Sequence, residues 1–256
     1  MSGALPAQMP GQGAAARAAL LDWRGIEAGL DAYGVGLTGP LLSAAECDAL
    51  AGLYDEPGRF RSRVIMARHG FGRGEYQYFA DPLPGIVAAL REAVYPRLAP
   101  IANRWNETLG KETPGKETPG LPGRYPADLA GFLAACHAHG QTRPTPLLLK
   151  YGEGDHNCLH QDLYGELFFP FQMVILLSAP GRDFTGGEFV LVEQRPRMQS
   201  RPEVVPLGQG EAAIFAVQHR PVQGARGPYR VNLRHGVSRV RSGQRFTAGI
   251  IFHDAR

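Results

Sequence analysis

Apolar residues in the first half of the chain recur at helical spacing. Leu20, Leu21, Trp23, Ile26 and Leu30 form one broad face and predict a helix over 18–30. Ser43 with Glu46 three residues later has capping-box spacing and predicts a second helix running to about Tyr54. Pro82 and Pro84 lead into a long helical stretch, Ile86 to about Leu109, and a further helix is expected from Pro126 to about His139. Between the second and third helices, Phe60–Phe79 is rich in arginine, glycine and aromatics and predicts a strand or hairpin with a glycine-bearing tip.

From Leu147 the period shortens. Leu147–Tyr151, Gln172–Ser178, Glu188–Val192, Glu203–Pro206, Ala212–Val217, Tyr229–Val237 and Phe246–His253 read as strands, separated by Gly-Asp, Pro-Gly, Gly-Gly and Gly-Gln signals. Many short strands at such intervals suit a sandwich or barrel. Helices lead and strands follow, so the fold class is α+β. The expected organisation is a floppy arm over 1–16, a mainly helical region with its hairpin over 17–146, and a β-rich catalytic core over 147–256, the last two forming one integrated domain. Within it, residues 110–120 carry Gly-Lys-Glu-Thr-Pro twice over and predict a polar loop of variable length.

Composition narrows the class. A 256-residue chain with 44% hydrophobic and 20% charged residues is ordinary for a globular protein, and the 33 glycines and 21 prolines follow no collagen triplet. Three cysteines, Cys47, Cys136 and Cys158, form no disulfide framework and fit a reducing compartment. Arg17 interrupts the only apolar stretch near the N-terminus, and Phe168–Leu177 contains Pro170 and Gln172 and is too short for a bilayer. A cytoplasmic protein without a membrane partner is expected. The net charge of +3 implies no nucleic acid by itself. Only three of the 27 basic residues are lysines, a bias that a GC-rich genome produces unaided. Nothing in the sequence sets an oligomeric state.

Candidate chemistry begins at His160-Gln161-Asp162. On an extended chain, residues i and i+2 face one side, so an imidazole and a carboxylate can share a metal ion. Further on, His235 ends one predicted strand and Arg245, ten residues later, opens the next. Two histidines and a carboxylate make the facial triad of non-haem Fe(II), with coordination positions left open. Arg245 supplies a guanidinium fork suited to a carboxylate.

With Tyr151 and Gly154 ahead of His160 and Asp162, Gly186-Gly187-Glu188-Phe189 in the middle, and His235-Gly-Val followed by Gly243-x-Arg245, the chain resembles the Fe(II)- and 2-oxoglutarate-dependent oxygenases, above all their prolyl-4-hydroxylase-like branch. The resemblance covers about Leu147 to Phe252. It implies a double-stranded β-helix, or jelly roll, with iron held by His160, Asp162 and His235. It implies that Arg245 pairs with the distal carboxylate of 2-oxoglutarate, with the ring of Tyr151 facing that cosubstrate. Gln172, Val174 and Leu176 should face the cavity. Leu176 stands where several relatives place a tyrosine that hydrogen-bonds 2-oxoglutarate, and Tyr151 and Gln172 are the two alternatives for that bond. Fe(II), 2-oxoglutarate and O₂ are the implied cofactors, with ascorbate as an auxiliary reductant; succinate and CO₂ leave as a substrate C–H bond is hydroxylated.

The other histidines read differently. His156 is a solvent-facing loop residue, His219 lacks an arginine at the right distance downstream, and His253 is a half-buried residue at the core edge. His137 and His139 flank a helix end, and Cys158 is packing. For substrate, Arg68, Arg73, Tyr76 and Tyr78 are the candidates, since aromatics interleaved with arginines suit a proline ring or a stacked base. From His219 to Arg245 inclusive there are seven arginines and no acidic residue, a field that suits an acidic segment or phosphates. A prolyl-type residue of a protein or peptide is the first substrate expectation. An alkylated nucleic acid is the second, and a silent jelly-roll binding module the third; the complete triad with Arg245 argues against the last.

Overall fold

The computed structural model describes residues 12–112, 124–163 and 165–256. Along the chain run α1 (Gln12–Ala19), α2 (Trp23–Tyr33), β1 (Val35–Pro40), α3 (Ala44–Gly52), β2 (Phe60–Ile65), β3 (Gly72–Arg73), β4 (Glu75–Phe79), α4 (Gly85–Glu112) and α5 (Leu129–Ala138). Then follow β5 (Leu147–Tyr151), β6 (His156–His160), β7 (Phe171–Leu176), β8 (Phe184–Gly186), β9 (Phe189–Gln194), β10 (Arg201–Val205), β11 (Glu211–Ala216), β12 (His219–Gly224), β13 (Gly227–Val237), β14 (Val240–Gly243) and β15 (Arg245–Ile251).

Two antiparallel sheets carry the fold. The major sheet has the order β1-β11-β7-β15-β5-β4-β2, and the minor sheet the order β10-β9-β13-β6-β3, with β12 paired to β13. β14 and β8 form a short ribbon beside them. Side chains alternate across each strand, so the major sheet has a helix-facing side and a sheet-facing side. Along β7, Phe171, Met173 and Ile175 join the core under the helices, while Val174 and Leu176 join a second core between the sheets. All six residues of β7 are buried, the pattern of a strand covered on both faces. The helical layer is aromatic: Tyr95 stacks on Phe132 at 5.5 Å and tilts against Phe169 at 4.9 Å, and Trp105 meets Phe171 edge-on at 4.8 Å.

Several expectations change. Residues 12–16 of the expected arm lie in α1, where Ala14 and Ala18 are fully buried; residues 1–11 lie outside the described residues. The single helix expected over 18–30 is two, because Asp22 caps a new start by accepting from the Gly25 amide at 3.0 Å, and Leu20 is 85% exposed. The capping box at Ser43 forms as expected. Of the expected 110–120 loop, residues 110–112 finish α4 and the remainder lies outside the described residues. The region before Leu147 is richer in strand than its pattern predicts: β1, β2 and β4 all lie in the major sheet and β3 in the minor one.

Candidate active site

The sheets enclose a cavity of about 420 Å³. Its floor is built in cross-strand rows of the major sheet. Arg245 pairs with Tyr151, and Thr247 lies between Leu176 and Leu149, which pairs with Tyr76. Gly249 lies between Val174 and Leu147, which pairs with Tyr78, and Ile251 pairs with Gln172, itself paired with Phe215. Paired residues point to one face, so each row adds one step along the cavity.

His235 on β13 pairs with His160 at the end of β6, on the opposite sheet. Their rings lie 4.2 Å apart. Asp162, two residues past His160, places one carboxylate oxygen 3.4 Å from His160 Nε2 and the other 3.4 Å from His235 Nε2. Among the described residues these three form the one group of His, Cys, Asp and Glu able to hold a metal ion, with ligand atoms all within 4.8 Å of one another. The Nδ1 atom of His160 lies 2.8 Å from the Cys158 carbonyl oxygen, an orientation that leaves Nε2 to the cluster. Gln161 turns the other way and donates to the Leu233 carbonyl at 2.8 Å, tying the His160–Asp162 turn to the strand that carries His235.

Electrostatics match the geometry. Burial opposes ionisation of Asp162, yet the two imidazoles outweigh it and hold the carboxyl far below the ordinary range. For His160, burial works against protonation, but the Asp162 carboxylate prevails and raises it. His235 is lowered by burial and by His160 beside it.

Arg245 is 2% exposed, and its Nε and Nη1 have no hydrogen-bond partner. Burial pulls its pKa down to about 10, so it stays cationic at neutral pH. Its guanidinium carbon stands 5.6 Å from the ring of Tyr151, which is itself fully buried and pushed up to about 12. A buried cationic fork with free N–H groups is costly unless an anion meets it. The donor set and this fork fit Fe(II) and a dicarboxylate: His160, Asp162 and His235 could hold the metal, and Arg245 the far carboxylate.

The remaining candidates separate. Gln172 and Val174 line the cavity as expected; Leu176 lies in the core between the sheets, outside the lining. Tyr76 and Tyr78 line the cavity as a T-shaped pair at 5.4 Å, whereas Arg68 and Arg73 are exposed outside the lining and Arg73 lies 3.6 Å from Asp155. The mouth instead carries Phe71, 48% exposed and stacked on His69 at 5.3 Å. Phe71, Asn157, Phe189 and Phe215 are lining residues that sequence reasoning missed. Periodicity could have found Phe189 and Phe215, which alternate inward on predicted strands.

His156 lies on strand β6 rather than a loop, His219 lines a separate small pocket, and His253 is fully buried with Nδ1 accepting from the Phe169 amide at 3.2 Å. His137 is bonded to Asp254 at 2.9 Å, and His139 to the Ala135 carbonyl at 2.9 Å. Cys158 is exposed on the cavity lining rather than packed. The basic stretch is no single face: Arg220 is buried against Glu193, and Arg245 points into the cavity.

A jelly roll with this site defines a 2-oxoglutarate- and Fe(II)-dependent oxygenase, an oxidoreductase. Residues 74–255 match Oxygenase-NA, a family described as oxygenases catalysing oxidative methylation of damaged DNA, and the chain belongs to that family. It is 51% identical over 177 residues to Rv2227 of Mycobacterium tuberculosis strain H37Rv, an uncharacterized protein; the match covers 69% of this chain and 72% of the relative. The fold is similar to that of a Trichoplax adhaerens prolyl hydroxylase solved with a hypoxia inducible factor oxygen degradation domain peptide. That likeness has a TM-score of 0.51 at 14% identity, over 92% of this chain and 90% of the other. A Pseudomonas putida prolyl-4-hydroxylase matches at TM-score 0.48 and 14% identity, over 91% and 99% of the two chains. Among the described residues no helix is long and apolar enough to cross a membrane.

Proposed function

We propose that this oxygenase oxidises an N-alkyl group on a base of a nucleic acid, with His160, Asp162 and His235 holding Fe(II) and Arg245 holding 2-oxoglutarate. The observation that carries this reading is the make-up of the cavity mouth. An exposed stack of Phe71 on His69 offers a face for a base, and the exposed arginines 68 and 73 nearby can meet phosphates. The description of the matched family supports the same substrate class.

When bound, Fe(II) with 2-oxoglutarate supplies O₂-dependent oxidation of a C–H bond. The chain's own residues orient and shield. Asp162 stays ionised between two imidazoles, so it remains a ligand rather than an acid. Arg245 binds a carboxylate remote from the reacting carbon, with the ring of Tyr151 5.6 Å from its guanidinium carbon. Of the two residues expected to replace the relatives' tyrosine, Tyr151 sits in Arg245's row and is the better placed; Gln172 is three rows away. Leu149, Val174 and Phe189 line the cavity and keep it apolar, which limits water around the reaction. Oxidation of the N-alkyl carbon gives a hydroxyalkyl amine that releases an aldehyde and the free base nitrogen; 2-oxoglutarate and O₂ are consumed, and succinate and CO₂ are formed. Ascorbate enters this proposal only as a reductant that keeps the metal as Fe(II).

Incubation of the iron-loaded enzyme with a single-stranded oligonucleotide carrying one N-methylated base, followed by mass spectrometry, tests the reading. Loss of the methyl group, with formaldehyde and succinate in equal amounts, is expected. Turnover of proline-containing peptides without turnover of methylated oligonucleotides would overturn it in favour of prolyl hydroxylation, for which the Tyr76–Tyr78 pair offers a wall.

A further inference from the structure

Gln172 is 5% exposed, lines the cavity, and its Nε2 has no hydrogen-bond partner. A buried amide N–H without a partner costs about 1–3 kcal/mol, so a native site that keeps one has a use for it. The strand register says where that use lies. Arg245 and Gln172 sit on neighbouring strands, but Gln172 is opposite Ile251, six residues beyond Arg245. At about 3.3 Å per residue their backbones are roughly 20 Å apart along the sheet. A five-carbon diacid anchored on Arg245 ends well short of that distance. On its other side Gln172 is paired with Phe215, whose ring lies 4.7 Å from that of His235. The free amide is therefore at the metal end of the cavity, beyond the cosubstrate, where the reacting group of a substrate must sit.

We propose that Gln172 is the specificity-determining residue of the cavity: its amide donates to a carbonyl oxygen of the substrate base beside the oxidised N-alkyl group, so that oxo-bearing bases are preferred to adenine. The inference rests on the nucleic-acid reading above. Its physical content is the cost of mismatch. A base with a carbonyl next to the alkylated nitrogen satisfies Nε2, whereas a base without one leaves the donor buried and unpaired. Phe215 and Ile251 are its partners in the row and line the cavity with it.

The test uses three single-stranded oligonucleotides, each with one methylated base: 3-methylthymine with two adjacent carbonyls, 3-methylcytosine with one, and 1-methyladenine with none. For the wild type, kcat/KM for the two oxo-bearing bases should exceed that for 1-methyladenine by about 10- to 100-fold. Gln172→Leu, which keeps the volume and removes the donor, should level the three to within about threefold, a change in the ratio between bases that a general loss of activity does not produce. Anaerobic fluorescence anisotropy with the same oligonucleotides gives a second readout, in which the wild-type affinity order should also flatten. Gln172→Glu, with an acceptor in place of the donor, should disfavour the carbonyl-bearing bases and covers the case in which the leucine variant fails to fold. A wild type that oxidises all three bases equally, a Gln172→Leu variant that keeps the preference, or one whose KM for 2-oxoglutarate rises instead would overturn the inference alone. A wild type that oxidises none of the three would overturn the proposed function, and the inference with it.

Discussion

Gly187 lies directly against Arg245: a Cβ at position 187 would stand 2.9 Å from Arg245 Cδ and 2.9 Å from Val240 Cγ2. The backbone there has φ +64, in the left-handed region that glycine tolerates. The second glycine of the Gly186-Gly187-Glu188-Phe189 motif thus clears the space in which the guanidinium is held. Gly187→Ala should displace the fork and strain the turn, raising the KM for 2-oxoglutarate by about 10-fold, with a lowered melting temperature. Titration of 2-oxoglutarate against succinate release checks it; an unchanged KM would mean that the turn does not position Arg245.

Removal of the fork itself should do more. Breaking one partner of a buried charge pair costs roughly 3–5 kcal/mol, which is on the order of a hundred- to a few-thousand-fold in affinity. Arg245→Ala should raise the KM for 2-oxoglutarate by about that factor while still binding Fe(II), because binding far from the reacting carbon is shared by ground and transition states. Arg245→Lys should fall between, keeping charge and losing the fork. Arg241, exposed on β14, is the matched control and should change little.

Acid should weaken the fold through Glu193. This carboxylate, 3% exposed, accepts from Arg195 Nε at 2.7 Å and Arg220 Nε at 2.8 Å. Burial alone would raise its pKa, but the arginines outweigh burial and hold it below the ordinary carboxylate value. A depressed folded-state pKa gives stability that is present above the unfolded value of about 4.3 and lost as pH falls through the folded one. Glu193→Gln should therefore lower the melting temperature at neutral pH, and the gap from wild type should close in acid. A gap that is constant from neutral to acid pH would show that the charge contributes nothing.

Binding of methylated single-stranded DNA should fall with salt, at a log–log slope of about −0.7 per phosphate contact. Replacing Arg68 and Arg73 by alanine should reduce the slope by about one to two, without changing the KM for 2-oxoglutarate. A slope that stays the same would place the phosphates elsewhere.

The chemistry was more legible than the frame that holds it. His160, Asp162, His235 and Arg245 could be picked out because together they supply a facial triad and a carboxylate fork in one chain order, and Tyr151 only through the resemblance to the 2-oxoglutarate-dependent oxygenases; the structure brings all five to one cavity. Seven strands followed from apolar periodicity. β6 did not, since His156–His160 has no buried residue and carries no alternating apolar face. β1 was hidden by its two glycines and terminal proline, and it finds its place only by pairing with β11, far along the chain. Long-range pairing of this kind leaves no local mark. The exposed Phe71 escaped because nothing local distinguishes an aromatic at a cavity mouth from one in a core.

Anaerobic addition of Fe(II) and 2-oxoglutarate to wild type, His160→Ala, Asp162→Ala, His235→Ala and His219→Ala, with the bound metal measured after desalting and the visible charge-transfer absorption of the chelate recorded, addresses the metal site most directly. Wild type and His219→Ala should each retain one iron and show the absorption, since His219 lines a different pocket. The three cluster variants should lose the absorption while keeping the fold by circular dichroism. Full iron retention and absorption in Asp162→Ala or His235→Ala, or their loss in His219→Ala, would contradict the assignment.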